Sequence, residues 1–83
     1  MKIIVHPRIH KRHPNITQNN VLEAFESLFM WGSRFDGRGI GLGVDSNGRV
    51  LELVWREKDD GIFIIYHALT PPTKKFLQEI YRR

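Results

Sequence analysis

The residues best suited to chemistry lie toward the end of the chain. His67 sits near the close of the run Ile62-Phe63-Ile64-Ile65-Tyr66-His67-Ala68, and Lys74 and Lys75 follow just after Thr70-Pro71-Pro72-Thr73. Glu52 and Arg56 belong to the preceding apolar run. If the two runs are antiparallel strands, His67 shares a sheet face with Glu52 or Arg56 in either neighbouring register. An imidazole, a carboxylate and cations on one face suit phosphodiester cleavage. A base takes the 2′-hydroxyl proton, cations hold the charge that builds on phosphorus, and an acid protonates the leaving oxygen. The roles expected are His67 as general acid or base and Glu52 as its partner or as the base. Arg56, Lys74 and Lys75 are expected to hold the phosphate, helped by the N-terminus of the helix that carries the lysines. In the plainer alternative Glu52 and Arg56 form an ion pair and His67 is half-buried structure.

A second cluster lies near the start: Arg8, His10, Lys11, Arg12 and His13. Together they read as a phosphate-contacting patch that binds RNA at a distance from the chemistry. The alternative is a solvated helix face. His6 and His10 have a spacing that can chelate a metal on a helix. Their cationic neighbours and the lack of a nearby carboxylate weigh against that, so no metal ligands are assigned. Gly37, Gly39, Gly41 and Gly43 do not make a dinucleotide fingerprint. Val44 stands where the third glycine belongs, the run enters a strand instead of opening a helix, and no Walker lysine follows. They read instead as a strand with one bare face, which a helix, a partner or a nucleotide can approach closely. Trp31, Phe35 and Trp55 could stack on bases, although aromatic residues serve cores and partner contacts more often.

These groups need elements to position them. Lys2 to Val5 reads as a short strand. A short helix over 7–13 follows, with Pro7 at its start, Ile9 inward and the His13-Pro14 step as its end. Thr17 is a natural cap for a second helix, whose apolar stripe is Val21, Leu22, Phe25, Leu28 and Phe29, with Gly32 as its stop. Residues 32–39 read as a loop. Ile40, Leu42 and Val44 alternate with glycines as in a strand, and Asn47-Gly48 signals a hairpin. In the next strand Leu51, Leu53 and Trp55 take one face, and Val50, Glu52, Val54 and Arg56 take the other. In the third, Ile62, Ile64, Tyr66 and Ala68 take one face and Phe63, Ile65 and His67 the other. Thr70 is expected to cap a last helix with the stripe Phe76, Leu77, Ile80 and Tyr81. The fold expected is a small two-layer α+β domain. Its antiparallel sheet has three or four strands, with N-terminal helices and a C-terminal helix packed on one face.

Length and charge bound the function. Eighty-three residues, 41% of them hydrophobic, suffice for a single domain over 1–83 with one modest core. No cysteine is present to form a disulfide. No stretch approaches the length needed to span a bilayer, and the aliphatic run at the start is too short for a signal-peptide core. A cytoplasmic protein without a membrane partner is expected. The net charge is +4 and it is unevenly spread. Residues 1–13 hold four bases and no acid, residues 14–70 five bases and eight acids, and residues 71–83 four bases and one acid. Basic ends around a mildly acidic middle suit a polyanion or an acidic protein partner.

The segments KRHPNITQNNVLEAF, IGLGVDSNGRVLELVWRE and GIFIIYHALTPPTKKFLQEIY, in that order, resemble the BrnT group of the RelE/ParE-like toxins. Arg12-His13, Gly48-Arg49, Leu51, Ile64-Ile65 and Tyr81 stand at comparable places, and the resemblance covers most of residues 8–82. It implies a RelE-like fold and a cytoplasmic toxin of a type II toxin–antitoxin module. Such a toxin cleaves RNA without a metal or other cofactor, on a small concave sheet carrying basic residues and often a tyrosine. The implied partners are a cognate antitoxin protein and RNA, free or ribosome-bound, with a homodimer as a further option. That group ends its last strand with a Ser-Ala-Arg run, where this chain has Tyr66-His67-Ala68. The missing arginine's role would fall to His67 with Lys74 and Lys75. Two rivals stand beside the toxin reading: a non-catalytic module that binds nucleic acid or protein, and a structural subunit of a larger complex.

Overall fold

A computed structural model of the chain describes residues 1–82. The elements run β1 (Lys2–Val5), α1 (Arg8–Arg12), α2 (Gln18–Glu26), β2 (Met30–Ser33), β3 (Gly39–Val44), β4 (Val50–Glu57), β5 (Ile62–Leu69) and α3 (Lys74–Tyr81). The sheet has five strands in the order β1-β5-β4-β3-β2, not three or four. It is antiparallel except where β1 runs parallel to β5. No helix among the described residues is long and apolar enough to cross a membrane.

The extra strand comes from a stretch that reads as helix end and loop. Thr17 caps α2 as expected, accepting the Asn20 N–H at 3.1 Å while the Asn20 side chain accepts from Thr17 N. The helix then stops at Glu26, so Leu28 and Phe29 do not continue its stripe and Gly32 does not end it. The reason is Ser27. Its hydroxyl donates to Val44 O at 2.7 Å and accepts from Val44 N at 3.0 Å, which ties the chain to the end of β3. From there it returns alongside β3 as β2, with Trp31 opposite Gly41 and Ser33 opposite Gly39.

The sheet is covered on both faces, so the architecture has three layers in place of the expected two. On one face Ile9, Ile16, Val21 and Ala24 from the N-terminal helices and their connection pack with Leu51, Leu53, Ile65 and Ala68. On the other, Phe76 and Ile80 of α3 pack on Ile40, Leu42 and Val54. Strand β4 explains this. Leu51, Leu53 and Trp55 serve the first face, and Val50 and Val54 the second. A strand apolar on both sides needs cover on both. The bare glycine face of β3 is filled by a helix and an aromatic ring. A Cβ on Gly43 would meet the Ala24 backbone of α2, and a Cβ on Gly39 or Gly41 would meet the Trp55 indole. Phe25 stands edge-on to Trp55 at 5.1 Å. Trp55 is therefore core, whereas Trp31 and Phe35 are exposed.

The β3–β4 hairpin forms where Asn47-Gly48 signals it, but only Gly48 takes a positive φ, of 77°. The turn is organised by the buried Asp45, whose carboxylate accepts from Asn47 N and Arg49 N and pairs with the Arg49 guanidinium. Arg49 also donates to Asn15 O and Asn20 Oδ1, locking the hairpin to the start of α2.

Candidate functional site

Only part of the second sheet face lies under α3. Beyond the helix, the sheet presents an open surface toward β5, and a β-bulge decides what stands on it. The register is regular from Glu52↔Leu69 to Val54↔His67, then Trp55 pairs with Ile65, leaving Tyr66 without a partner. A bulge inserts one residue and so breaks the alternation of side chains. Tyr66 and His67 consequently share the open face, while Ala68 joins Ile65 in the opposite core. The strict alternation expected for β5, with Tyr66 and His67 on opposite faces, fails at this point.

Glu52 and His67 meet as expected. His67 Nε2–H donates to Glu52 Oε2 at 2.8 Å, and the other carboxylate oxygen accepts Thr73 N–H at 2.7 Å. Burial works to raise the Glu52 carboxyl, but the bonds from His67 and Thr73 outweigh it and hold the group below the usual glutamate range. With Nε2 committed to Glu52, Nδ1 is the nitrogen of a neutral His67 left to accept a proton. The same carboxylate seats the first turn of α3. Thr73, not Thr70, caps that helix by accepting Phe76 N–H, while the Thr70 hydroxyl donates to Val50 O.

Arg8 belongs to this surface and not to a remote patch. Strand β1 ends opposite Ile65, whose carbonyl accepts His6 N–H. The next free acceptor on that edge, Tyr66 O, is taken by Arg8 Nε at 3.1 Å, and the guanidinium lies 5.5 Å from the centre of the Tyr66 ring. From the other side, Arg38 Nη1 donates to the Tyr66 hydroxyl at 3.1 Å. Arg38 is held by Asp36, which accepts its Nε at 2.6 Å and its backbone N–H at 3.1 Å. The hydrogen bond from Arg38 is the main reason the Asp36 carboxyl is lowered. Arg34 forms a two-pronged pair with Glu79 of α3, at 2.8 and 3.0 Å, and is raised by it.

The result is one depression in two parts. Arg8, Arg34, Tyr66, His67 and Glu52 line a cleft of about 230 Å³. Arg8 and Tyr66 continue into a wider hollow of about 580 Å³ that His6, Arg38, Asp36 and Arg56 complete. Among the described residues neither Arg8 nor Arg56 has a carboxylate partner. The guanidinium groups of Arg8 and Arg56, which no carboxylate neutralises, and the Tyr66 phenol beside them can hold an anion with several oxygens, while Arg34 and Arg38 are paired with Glu79 and Asp36.

The residues singled out from the sequence divide accordingly. His67, Glu52 and Arg8 come together. Arg56 lies two residues past Val54 on the same face of β4, in the wider hollow, and makes no pair with Glu52. Lys74 and Lys75 are exposed on the first turn of α3 and line neither part. Lys11 and Arg12 are exposed on α1, and His10 is used structurally, donating from Nδ1 to Ile16 O at 2.9 Å. His13, half-buried, follows the last turn of α1 and donates its N–H to Ile9 O. Tyr66, Arg34 and Arg38 were missed. The one signal for them was two arginines in a glycine-containing loop, and nothing local ties that loop to β5. No family model matches the chain, and neither the curated proteins nor the solved structures contain a match to it.

Proposed function

We propose that this chain is a toxin-type endoribonuclease of a toxin–antitoxin pair, cleaving RNA by metal-independent acid–base chemistry on the open face around Tyr66 and His67. The observation that carries the reading is the meeting of unpaired Arg8, Arg38-bound Tyr66 and the Glu52-anchored His67 in one depression. In this reading Arg8 and Arg38 hold the scissile phosphate and Arg56 a neighbouring one. His67 Nδ1 takes the 2′-hydroxyl proton, and O2′ attacks phosphorus to give a 2′,3′-cyclic phosphate. The 5′-oxygen leaves with a proton from the Tyr66 hydroxyl, whose lone pair is engaged by Arg38. Glu52 orients His67 and stabilises its cationic form. A cognate antitoxin would neutralise the chain by covering this face.

A second reading rests on a specific observation. Both Glu52 oxygens already serve the fold, one on Thr73 and one on His67. The pair would then be structural and the face would bind nucleic acid or protein without chemistry.

Induction of the wild type in a bacterial host, beside His67→Ala and Arg8→Ala, separates the two. The nuclease reading expects growth arrest with loss of intact messenger RNA from the wild type alone, and cleavage by the purified chain in the presence of a chelator. Arrest that His67→Ala leaves unchanged removes His67 from the mechanism. A folded wild type that neither arrests growth nor cleaves RNA, but still binds it, supports the binding module.

A further inference from the structure

We infer that the wider hollow is a binding site for a phosphate monoester carried by a nucleoside, free or at the end of an RNA, held by Arg8, Arg56 and the Nε2–H of His6. This narrows the neighbouring phosphate assigned to Arg56 to a terminal one. Its place on a cleaved RNA rests on the nuclease reading, whereas the binding itself does not.

Sheet register brings the three residues together. In the pairing of β4 with β5, Arg56 stands opposite Ile64, and Ile4 of β1 stands on the other side of Ile64. Ile64 and Tyr66, two apart on β5, share the open face. Strand β1 leads on to His6, whose N–H donates to Ile65 O at 2.8 Å, and then to Arg8, fastened to Tyr66 O. The hollow thus has basic groups from β4 on one side and from the end of β1 on the other, with Ile64 and Tyr66 between them.

The ring of His6 has its tautomer fixed. Its Nδ1 accepts the backbone N–H of Arg8 at 3.1 Å, so the proton of the neutral ring is on Nε2. His6 is therefore a donor without having to be charged, and no group among the described residues accepts that N–H.

Charge and donor number select the ligand. Asp36 neutralises Arg38, which leaves the lining with the two charges of Arg8 and Arg56. A phosphate monoester carries about −1.5 to −2 at pH 7. An internal phosphodiester or a side-chain carboxylate carries a single negative charge and leaves half of the lining unmatched. Arg8 has committed only Nε, and Arg56 makes no ion pair among the described residues, so each fork is open to two oxygens. With His6 they can serve three oxygens. A terminal phosphate presents three oxygens free of ester, and an internal one presents two. The hollow of about 580 Å³ falls within the range of small-molecule sites, about 300–1,000 Å³, so a nucleoside can follow its phosphate over Ile64 and Tyr66.

The test is isothermal titration of the full chain at low salt with adenosine, its 5′- and 3′-monophosphates and inorganic phosphate. One RNA sequence is titrated beside them with a phosphate at the 5′ end, at the 3′ end or at neither. A monophosphate should bind at least about tenfold tighter than adenosine and than inorganic phosphate, and one phosphorylated RNA about tenfold tighter than the unphosphorylated RNA. Arg56→Gln, at an exposed position, should abolish that preference. In His6→Asn the new Oδ1 can still accept the N–H two residues on, but no donor replaces Nε2, so the preference should fall several-fold with unfolding unchanged. Inorganic phosphate binding as tightly as the monophosphates overturns the proposal, and so does a preference that survives both substitutions. Cleavage with equal affinity for all three RNA forms overturns it and leaves the nuclease reading standing. Preference for a phosphorylated end with no cleavage supports it and overturns the nuclease reading.

Discussion

The two faces of the sheet are built from the same strands and have opposite characters. The face under α2 is closed: the Trp55 ring lies on Gly39 and Gly41, the Ala24 backbone reaches Gly43, and Leu51, Leu53, Ile65 and Ala68 are buried. The face under α3 is covered over β2, β3 and β4 as far as Val54. Toward β5 it carries Tyr66, His67, Arg8, Arg38 and Arg56 around an open depression. The contrast shows where this chain can tolerate polar groups. Buried apolar clusters lie under both α2 and α3, and Arg8, Arg56, Tyr66 and His67 occupy the part of the second face that no helix reaches.

Substitutions on the two faces should therefore separate stability from binding. The largest effect is expected for Gly43→Ala. The new methyl has only the Ala24 backbone to meet, and overpacking of this kind costs about 3 kcal/mol. Urea unfolding measures it, and a loss under about 1 kcal/mol would mean the face is not closed. Next comes Glu52→Gln at the boundary between the faces, which loses the carboxylate held between His67 and Thr73 and should cost about 2 kcal/mol at neutral pH. The folded Glu52 carboxyl lies below its ordinary value of 4.5, so its contribution is full above pH 4.5 and fades as the pH falls through the folded value. The wild-type and Glu52→Gln stabilities should thus converge on acidification. A gap that stays constant from neutral pH to pH 3 would break that account.

On the open face the expected effects move to binding. Arg8→Ala should weaken affinity for single-stranded RNA about tenfold and lower the salt slope by about 0.7, with stability changed by less than about 1 kcal/mol. Equal losses of stability and affinity would make Arg8 a structural residue of the β1–β5 edge. The smallest effect is expected for Lys74→Ala with Lys75→Ala. Both lysines lie outside the depression in screening solvent, so cleavage and binding should change by no more than about twofold. A larger loss would extend the site onto the first turn of α3.

Much of this was legible in the sequence where chemistry is local. Thr17 is followed by a polar N3 residue and an apolar helix, so the cap forms where it reads. Leu51, Leu53 and Trp55 alternate against Val50, Glu52 and Val54, and the strand follows. That His67 shares a face with Glu52 or Arg56 was an expectation of antiparallel pairing, but its meeting with Glu52 rests on the bulge after Ile65, because the register nearer the turn would set His67 against Leu53. The end of α2 was not readable. Leu28 and Phe29 prolong the helical period, and only the bond between Ser27 and Val44, seventeen positions later, diverts the chain into β2.

By itself the sequence determined elements whose causes lie within a few residues: the Thr17 cap, the hairpin turn at Asn47-Gly48, the double apolar character of β4, and the glycine strip that invites a helix; the cap of α3 fell to Thr73 and not to Thr70. Tertiary structure alone decided the site. Whether His67 stands beside Tyr66 or turns into the opposite core depends on one inserted residue in the pairing of β4 with β5, since a single bulge reverses every later side chain. The approach of Arg8 depends on where β1 stops, and that of Arg38 on a loop two strands away. Alternation along a strand is a local property. Register between strands is set by the packing of the whole sheet, and here it decides which residues stand together on the open face.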